Sequence, residues 1–524
     1  MKARESAHRW LQEREISFVF GNPGSTELPF LLGLEKASRY VLALHEGVAV
    51  AMAEGYAQAS GQVAFVNLHA APGLGNAIGA LYSALKNRSP LLVTVGHQDR
   101  RHLFREPLLS GPLLEMARSV SKAVWEVHRG EDLPEALERA YHLALTPPRG
   151  PVVAVLPMDL WEEEAAPPRL KTLLPPGAPQ GLEALASALS RAENPALILG
   201  GGSQAPAARK AALRLVEALP AVVFSDPIGP RHPFPTSHPL YRGVLPPVAA
   251  QLRNQLAPHD LVLVVGAPCF LLYPYTPGPP IPEGSHVVLL TDDPAEAARA
   301  EAHEVYLGDV AEGLRLLAGA VRPSGRPWPS RPPSPPSPPA PLPSGPRGLN
   351  PLYVVERLAQ ALTGRFVVDE AISLSPPFRK ALKVEEGRYL HSASGGLGFA
   401  PAAAVGAALA GEAVAAVVGD GAFLFAPQAL YTAKVHGLDV AFIVLNNAGY
   451  GILKGFAEAL YPGQGERVPG LSLSGVDFLL LAQAFGVQGW RADTPEALEE
   501  GLAYMGQGPF LLEIRLDPTP HRIF

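Results

Sequence analysis

Cysteine is almost absent: Cys269 is the only one among 524 residues, so no intrachain disulfide can form and nothing demands an oxidising compartment. Long apolar runs are missing as well, and no stretch approaches the ~20 residues that a membrane helix needs. Positive charge is not in surplus. Lys and Arg number 43 against 49 Asp and Glu, a formal net charge of −6, which argues against a surface built for nucleic acid or anionic lipid. The opening MKARESAHRWLQERE is charged and amphipathic, without the apolar core of a secretion signal, so a cytoplasmic location is expected. No Gly-x-Gly-x-x-Gly turn with a later acidic partner follows any expected first strand, which argues against a dinucleotide-binding dehydrogenase.

What is present is a core-forming composition, 47% apolar and 18% charged, in a chain long enough for about three domains. Short Val/Ile/Leu runs at 17–20, 40–44, 64–68, 91–95 and 152–156 read as strands, with helical patterns after Ser25, Glu46, Gly75 and Leu133. The alternation repeats with strands at 197–199, 222–224, 261–265 and 287–290, and again at 366–368, 414–418, 440–445 and 510–514. Such alternation predicts α/β architecture: three doubly wound parallel-sheet domains, at 1–165, 181–321 and 348–524. Residues 166–180 read as a linker. The Pro-rich 322–347 reads as an extended connector without regular hydrogen bonding. Gly200-Gly201-Gly202 lacks the dinucleotide spacing and reads as a strand-to-helix turn.

The most informative stretch is 413–451, AVAAVVGDGAFLFAPQALYTAKVHGLDVAFIVLNNAGYG. Two buried-strand runs flank a helical pattern over 426–436 that Gly437 would stop, a βαβ unit. Asp420 and Asn447 then emerge side by side at the carboxyl edge of a parallel sheet, where open α/β folds bind ligands. Both offer hard oxygens, and Gly419 and Gly421 let phosphate approach the backbone, which suits Mg2+ completed by substrate phosphates. Gly-Asp-Gly and Asn-Asn-x-Gly are also ordinary turn formers.

Three residues of the first third carry chemistry. Glu46 stands where a strand gives way to a helix. An acid there stabilises the helix dipole, and the apolar neighbours Leu44, Val48 and Ala49 suggest a partly desolvated carboxyl. His69 ends a strand in VAFVNLHAAPGLGNAIGAL, as a hydrogen-bonded structural histidine or a proton carrier. Ser25, in FGNPGSTELPFL, suits a helix N-cap.

A strand-ending GDG, a helix and a strand-ending NN resemble the metal–diphosphate motif of thiamine diphosphate enzymes. The resemblance implies that Asp420, Asn447 and the Gly449 carbonyl hold Mg2+. GNPGSTELPFL, LALHEGVAVAMAEGYAQASG, FVNLHAAPGLGNAIGAL, SGGLGFAPAAAVGAALA and GYGILKGF closely resemble the benzoylformate decarboxylase family over nearly the whole chain. That resemblance implies pyrimidine-binding, middle and diphosphate-binding domains in this order. Glu46 would share a proton with the aminopyrimidine, Ser25 would hydrogen-bond the substrate carboxylate, and His69 would assist protonation. Gly395, Leu397, Gly419, Gly421 and Tyr450 would contact the cofactor. It also implies self-association, as a dimer or tetramer with active sites between subunits. The implied activity is decarboxylation of a small-molecule 2-keto acid to an aldehyde, with carboligation as a further reaction. The alternative is an acetolactate-synthase-like carboligase, with or without FAD in the middle domain.

The sequence departs from that family in two places. Tyr273 stands where the family has a second catalytic histidine, and with a reference pKa of about 10 it is a poor proton shuttle near neutrality. Ile452 stands where the family has a small residue, beside apolar Leu453 and Phe456 and the matching Leu108 and Leu109. The lost volume predicts a preference for short or branched alkyl groups over phenyl. His97, Arg101, His102 and Arg105 read as a solvated basic face, or as a contact for an anionic substrate tail.

Overall fold

The computed structural model describes residues 1–173, 177–330, 342–345, 347–385, 387–464 and 467–518. Parallel pairing dominates because the central strands are buried on both faces. β3 (Ala64–Leu68), β10 (Leu261–Val265) and β17 (Val414–Gly419) are near-continuous Val/Leu/Ala runs, which only helices on both sides can cover.

The first sheet contains β1 (Phe18–Gly21), β2 (Arg39–Leu42), β3, β4 (Leu91–His97), β5 (Ala123–Glu126) and β6 (Val152–Pro157), ordered β2-β1-β3-β4-β6-β5. The second contains β7 (Ala196–Leu199), β8 (Val222–Ser225), β9 (Tyr241–Val244), β10, β11 (His286–Thr291) and β12 (Glu304–Leu307), ordered β12-β11-β10-β7-β8-β9. Antiparallel β13 (Ser344–Gly345) and β14 (Gly348–Leu349) precede the third sheet. That sheet holds β15 (Phe366–Glu370), β16 (Tyr389–His391), β17, β18 (Val440–Asn446), β19 (Gln488–Ala492) and β20 (Phe510–Arg515), ordered β16-β15-β17-β18-β20-β19. The three parallel α/β units match the expected fold class. Strands β5, β9, β12, β16 and β19, which the apolar runs did not reveal, all lie at sheet edges.

Several local expectations are corrected. The helix placed at 426–436 is shorter, Ala429–Val435, and a separate helical turn, Asp420–Phe423, precedes it; Pro427, just before the helix, cannot supply an amide hydrogen. Ser25 is not an N-cap: the short Leu28–Leu31 helix has Glu27 at that position. The described residues of the connector are not free of hydrogen bonding. The Ser324 amide donates to the Ala218 carbonyl at 2.8 Å, and Ser344–Gly345 pairs with Gly348–Leu349. Its residues 331–341 and 346, and residues 174–176 of the earlier linker, lie outside the described residues. Gly200-Gly201-Gly202 forms the expected turn, packed so tightly that a methyl on Gly202 would stand 2.9 Å from the Gly266 Cα.

The first and third units share one apolar core. Its centre is the helix Glu46–Ser60 against the helix Phe399–Leu409. Gly55 and Gly406 permit that approach: a methyl on either would fall 2.0 Å from the Ala403 carbonyl oxygen or 1.8 Å from that of Met52. Buried Arg231 ties all three units, donating to the Gln58 carbonyl at 3.2 Å and the Gly387 carbonyl at 2.8 Å.

Candidate active site

The carboxyl edges of the first and third sheets carry two separate groups of side chains. At the first, the chain leaves β2 through Leu44 and His45 into the helix that begins at Glu46. His45 caps that helix, its Nδ1 accepting from the Gly47 amide at 3.1 Å. Half-buried Glu46 is held from two sides. Asn76 Nδ2 donates to its Oε2 at 3.0 Å, and Gly73 lies so close that a methyl there would be 3.1 Å from Oε1.

His69 ends β3 one residue before the helix Ala70–Lys86. Its Nδ1 is 2.8 Å from Oε2 of Glu27 and 3.1 Å from Oγ1 of Thr26. Glu27 is 1% exposed and also accepts from the Gly24 amide at 3.0 Å and the Thr26 hydroxyl at 2.5 Å. A carboxylate can only accept, so the proton resides on Nδ1 and Nε2 is left for exchange. The Glu27 hydrogen bond raises the His69 pKa, against the lowering effect of burial, with the charges of Glu27 and Glu46 helping. Burial, then Glu27 and Glu46, push the Tyr40 phenol upward, so the two acids, His69 and Tyr40 form one electrostatic cluster. The Tyr40 hydroxyl is buried without a hydrogen-bond partner among the described residues.

Ser25 is exposed on the turn leaving β1. Leu108 and Leu109 sit on the loop after β4, fixed beside His69 because the Ala71 amide donates to the Leu109 carbonyl at 3.3 Å. In the basic stretch, His97 Nδ1 is 3.0 Å from Glu126 Oε1 and Arg101 pairs with Asp99. The Arg101 charge is thus already matched.

At the second edge, β17 and β18 run in register, Gly419 opposite Leu445, which sets Asp420 beside the turn that carries Asn447. Asp420 is 3% exposed. Its Oδ1 accepts from the Gly421 amide at 2.7 Å and its Oδ2 from the Gly449 amide at 3.0 Å. Burial pushes its carboxyl up to about 6 against the pull of those amides, an environment in which a bound cation would favour the ionised form. The Gly449 carbonyl accepts from the Gly451 amide at 3.0 Å and keeps a second lone pair. The Tyr450 ring covers Gly421, where a methyl would stand 2.5 Å from it. Asp420 and Asn447 line a cavity of about 340 Å3 together with Arg347, Arg515, Ser474 and Gly475. One carboxylate, one amide, one carbonyl and two arginines fit a divalent cation carrying a diphosphate.

Gly395 adopts φ +72 with open space where a side chain would stand, so its backbone is accessible to a ligand. Leu397 is half-buried against the shared core. Ile452, Leu453 and Phe456 lie on the helix Gly451–Leu460, where only Ala457 is buried, an apolar helix with little covering it. Tyr273, from the loop after β10, packs edge-on against Phe456 with ring centroids 5.8 Å apart. The structure thus gathers Glu46, His69, Ser25, Leu108 and Leu109 at the first edge. Gly419, Asp420, Gly421, Asn447, Gly449, Tyr450, Ile452, Leu453, Phe456 and Tyr273 belong to the second. Among the described residues no hydrogen bond or ion pair joins one group to the other.

Two half-sites on parallel sheets, one with a poised histidine and the other suited to a cation and phosphates, describe a cofactor-dependent α/β enzyme. Comparison with known proteins narrows that class. Residues 1–109, 182–317 and 378–514 match the N-terminal TPP binding, central and C-terminal TPP binding domains of thiamine pyrophosphate enzymes. A benzoylformate decarboxylase of Pseudomonas aeruginosa is 39% identical, over 98% of this chain and 99% of its own. The solved structure of a thiamine diphosphate-dependent 4-hydroxybenzoylformate decarboxylase from Rhodococcus jostii RHA1 superposes with a TM-score of 0.93 at 37% identity, covering 99% of this chain and 100% of that one. An acetolactate synthase of Mycobacterium bovis is more distant, 28% identical over 93% of this chain and 83% of its own. The chain belongs to the thiamine pyrophosphate enzyme family.

Sequence reasoning missed Glu27, Thr26, Tyr40 and Asn76. Glu27 stands in the quoted GNPGSTELPFL, but an acid in a polar turn carries no signal of burial. Only the fold shows that it faces His69, 42 positions on.

Proposed function

We propose that this enzyme decarboxylates a 2-keto acid to an aldehyde, using thiamine diphosphate and Mg2+, at a site completed between two copies of the chain. The observation that carries this reading is the His69–Glu27 pair, an imidazole with one nitrogen pinned by a buried carboxylate and no hydrogen bond to the other among the described residues. Bound thiamine diphosphate supplies a nucleophilic carbon and an electron sink, which lets the substrate carboxylate leave as carbon dioxide.

The chain's own residues do the rest. Asp420, Asn447 and the Gly449 carbonyl hold the cation, and Gly419, Gly421 and Tyr450 seat the diphosphate. Gly395 and Leu397 contact the ring system, and Glu46 exchanges a proton with the aminopyrimidine. Ser25 donates to the substrate carboxylate. His69 delivers a proton from Nε2 to the carbon that has lost carbon dioxide, and the upward shift that the Glu27 hydrogen bond gives its pKa favours the protonated donor.

Exposed apolar side chains support the two-copy site. Leu28, Leu32, Leu44, Phe104 and Leu108 neighbour the first half-site in sequence, and Phe425, Leu453 and Leu460 neighbour the second. The functional units of the chain are 1–165, 181–321 and 348–524.

A panel of 2-keto acids graded in size and charge, scored for carbon dioxide, aldehyde and ligation product, tests the reading. One aldehyde per carbon dioxide, with branched alkyl substrates ahead of phenyl, is expected. Ligation product as the main outcome would replace it with the synthase alternative.

A further inference from the structure

Glu54 lies about two turns beyond Glu46 on the same helix and is fully buried. Its Oε1 accepts from Asn87 Nδ2 at 2.6 Å and from the Ser89 hydroxyl at 3.2 Å. Burial pushes the carboxyl up to about 8 against the pull of Asn87, Ser89 and Ser83, so near neutrality it is mostly uncharged. With the proton of the neutral carboxyl on Oε2, which has no hydrogen-bond partner among the described residues, Oε1 stays an acceptor and the flipped Asn87 amide would set its oxygen against it.

The other end of that amide reaches into the third unit. Asn87 Oδ1 accepts from the Ala393 backbone amide at 2.8 Å. A second arm runs parallel to it: the Ser83 hydroxyl is 3.2 Å from that of Ser392, which is 2.9 Å from that of Ser394. Ser394 Oγ in turn accepts from the Gly396 amide at 3.1 Å. Residues 392–397 belong to no helix or strand, so side-chain bonds rather than a ladder hold them: these before Gly395, and Glu370 Oε1, which accepts from the Gly398 amide at 2.8 Å, just after Leu397.

We propose that Asn87, oriented by Glu54, is a positioning residue for the segment 392–397, and that the first unit thereby pre-forms the cofactor seat of the third. The proposal rests on the reading of Gly395 and Leu397 as cofactor contacts. A segment ordered before the cofactor arrives loses less freedom on binding, which appears as affinity.

The test compares Asn87→Ala, Glu54→Leu and Glu54→Gln in the full chain. Thiamine diphosphate affinity is measured with saturating Mg2+, alongside hydrogen exchange over 392–397 and thermal unfolding of the cofactor-free protein. Asn87→Ala and Glu54→Leu are expected to weaken affinity about tenfold, the scale of one or two lost hydrogen bonds, and to speed exchange in that segment. Glu54→Gln keeps a neutral acceptor and is expected to stay within about twofold of wild type. Ser394→Ala, at a half-buried position, keeps the test decisive if the buried variants fail to fold; it is expected to loosen the same segment. Wild-type affinity and exchange in Asn87→Ala, or in Ser394→Ala where Asn87→Ala does not fold, would overturn the proposal. Wild type that binds no thiamine diphosphate would overturn the cofactor reading beneath it, and the proposal with it.

Discussion

Nδ1 of His69 lies 2.8 Å from a Glu27 carboxylate that is 1% exposed. A pair so placed fixes the tautomer and supports the charged imidazole, so removing the acid should act on proton transfer before it acts on the fold. Glu27→Gln is expected to lower the His69 pKa, because the hydrogen bond and charge that raise it are weakened. The alkaline limb of the rate profile, which marks loss of the protonated donor, then moves to lower pH, and turnover near neutrality falls about tenfold. An unmoved limb would remove Glu27 from the chemistry.

His69→Ala should slow turnover by about 100-fold or more while thiamine diphosphate affinity stays near wild type. The contrast is measured by titrating cofactor and substrate separately. His69 lies on the half-site opposite the cation-binding residues, so an equal loss in both readouts would contradict the assignment.

Asp420→Asn removes the charge at the second half-site while keeping its shape. The expected outcome is Mg2+-dependent cofactor retention reduced by about tenfold or more, read as thiamine diphosphate remaining after desalting. Full retention would argue that the cation is held elsewhere.

Ile452→Ala restores volume on the little-covered helix Gly451–Leu460. Relative kcat/KM for a phenyl 2-keto acid over a branched alkyl one should rise by about tenfold, the scale of a methylene or two in an apolar pocket. A ratio that does not change would dissociate Ile452 from the acyl pocket.

Glu54 gives a stability prediction. Its carboxyl is pushed from 4.5 up to about 8 in the folded chain, so the folded state holds a proton that the unfolded state has released. Its contribution is complete below about 4.5 and is lost as pH rises through about 8. The thermal midpoint of the cofactor-free protein should therefore fall between pH 6.5, the reference value of the buried histidines, and about 8. Glu370 and Asp226, both pushed by burial to about 7, act in the same direction. Glu54→Gln should show a shallower fall than wild type.

The architecture was legible wherever burial is two-sided. Strands such as 64–68 and 261–265 were placed to the residue, because a strand covered on both faces must be a continuous apolar run. The edge strand Glu304–Leu307 is mostly exposed and leaves no such run. The helix expected from 426 starts only at Ala429, past Pro427. At the site, Asp420 and Asn447 were legible because both follow strands of one βαβ unit, so local topology alone makes them neighbours.

What the sequence determined by itself is what short-range order encodes: three α/β units, the strand-ending acid and amide, and the family resemblance that joins them to a cofactor. Tertiary structure alone decided which buried acid serves which partner. Glu27 and His69 are 42 positions apart, and Asn87 meets Ala393 across 306. No periodicity records such pairings, because a hydrogen bond between distant segments depends on how whole sheets and helices pack.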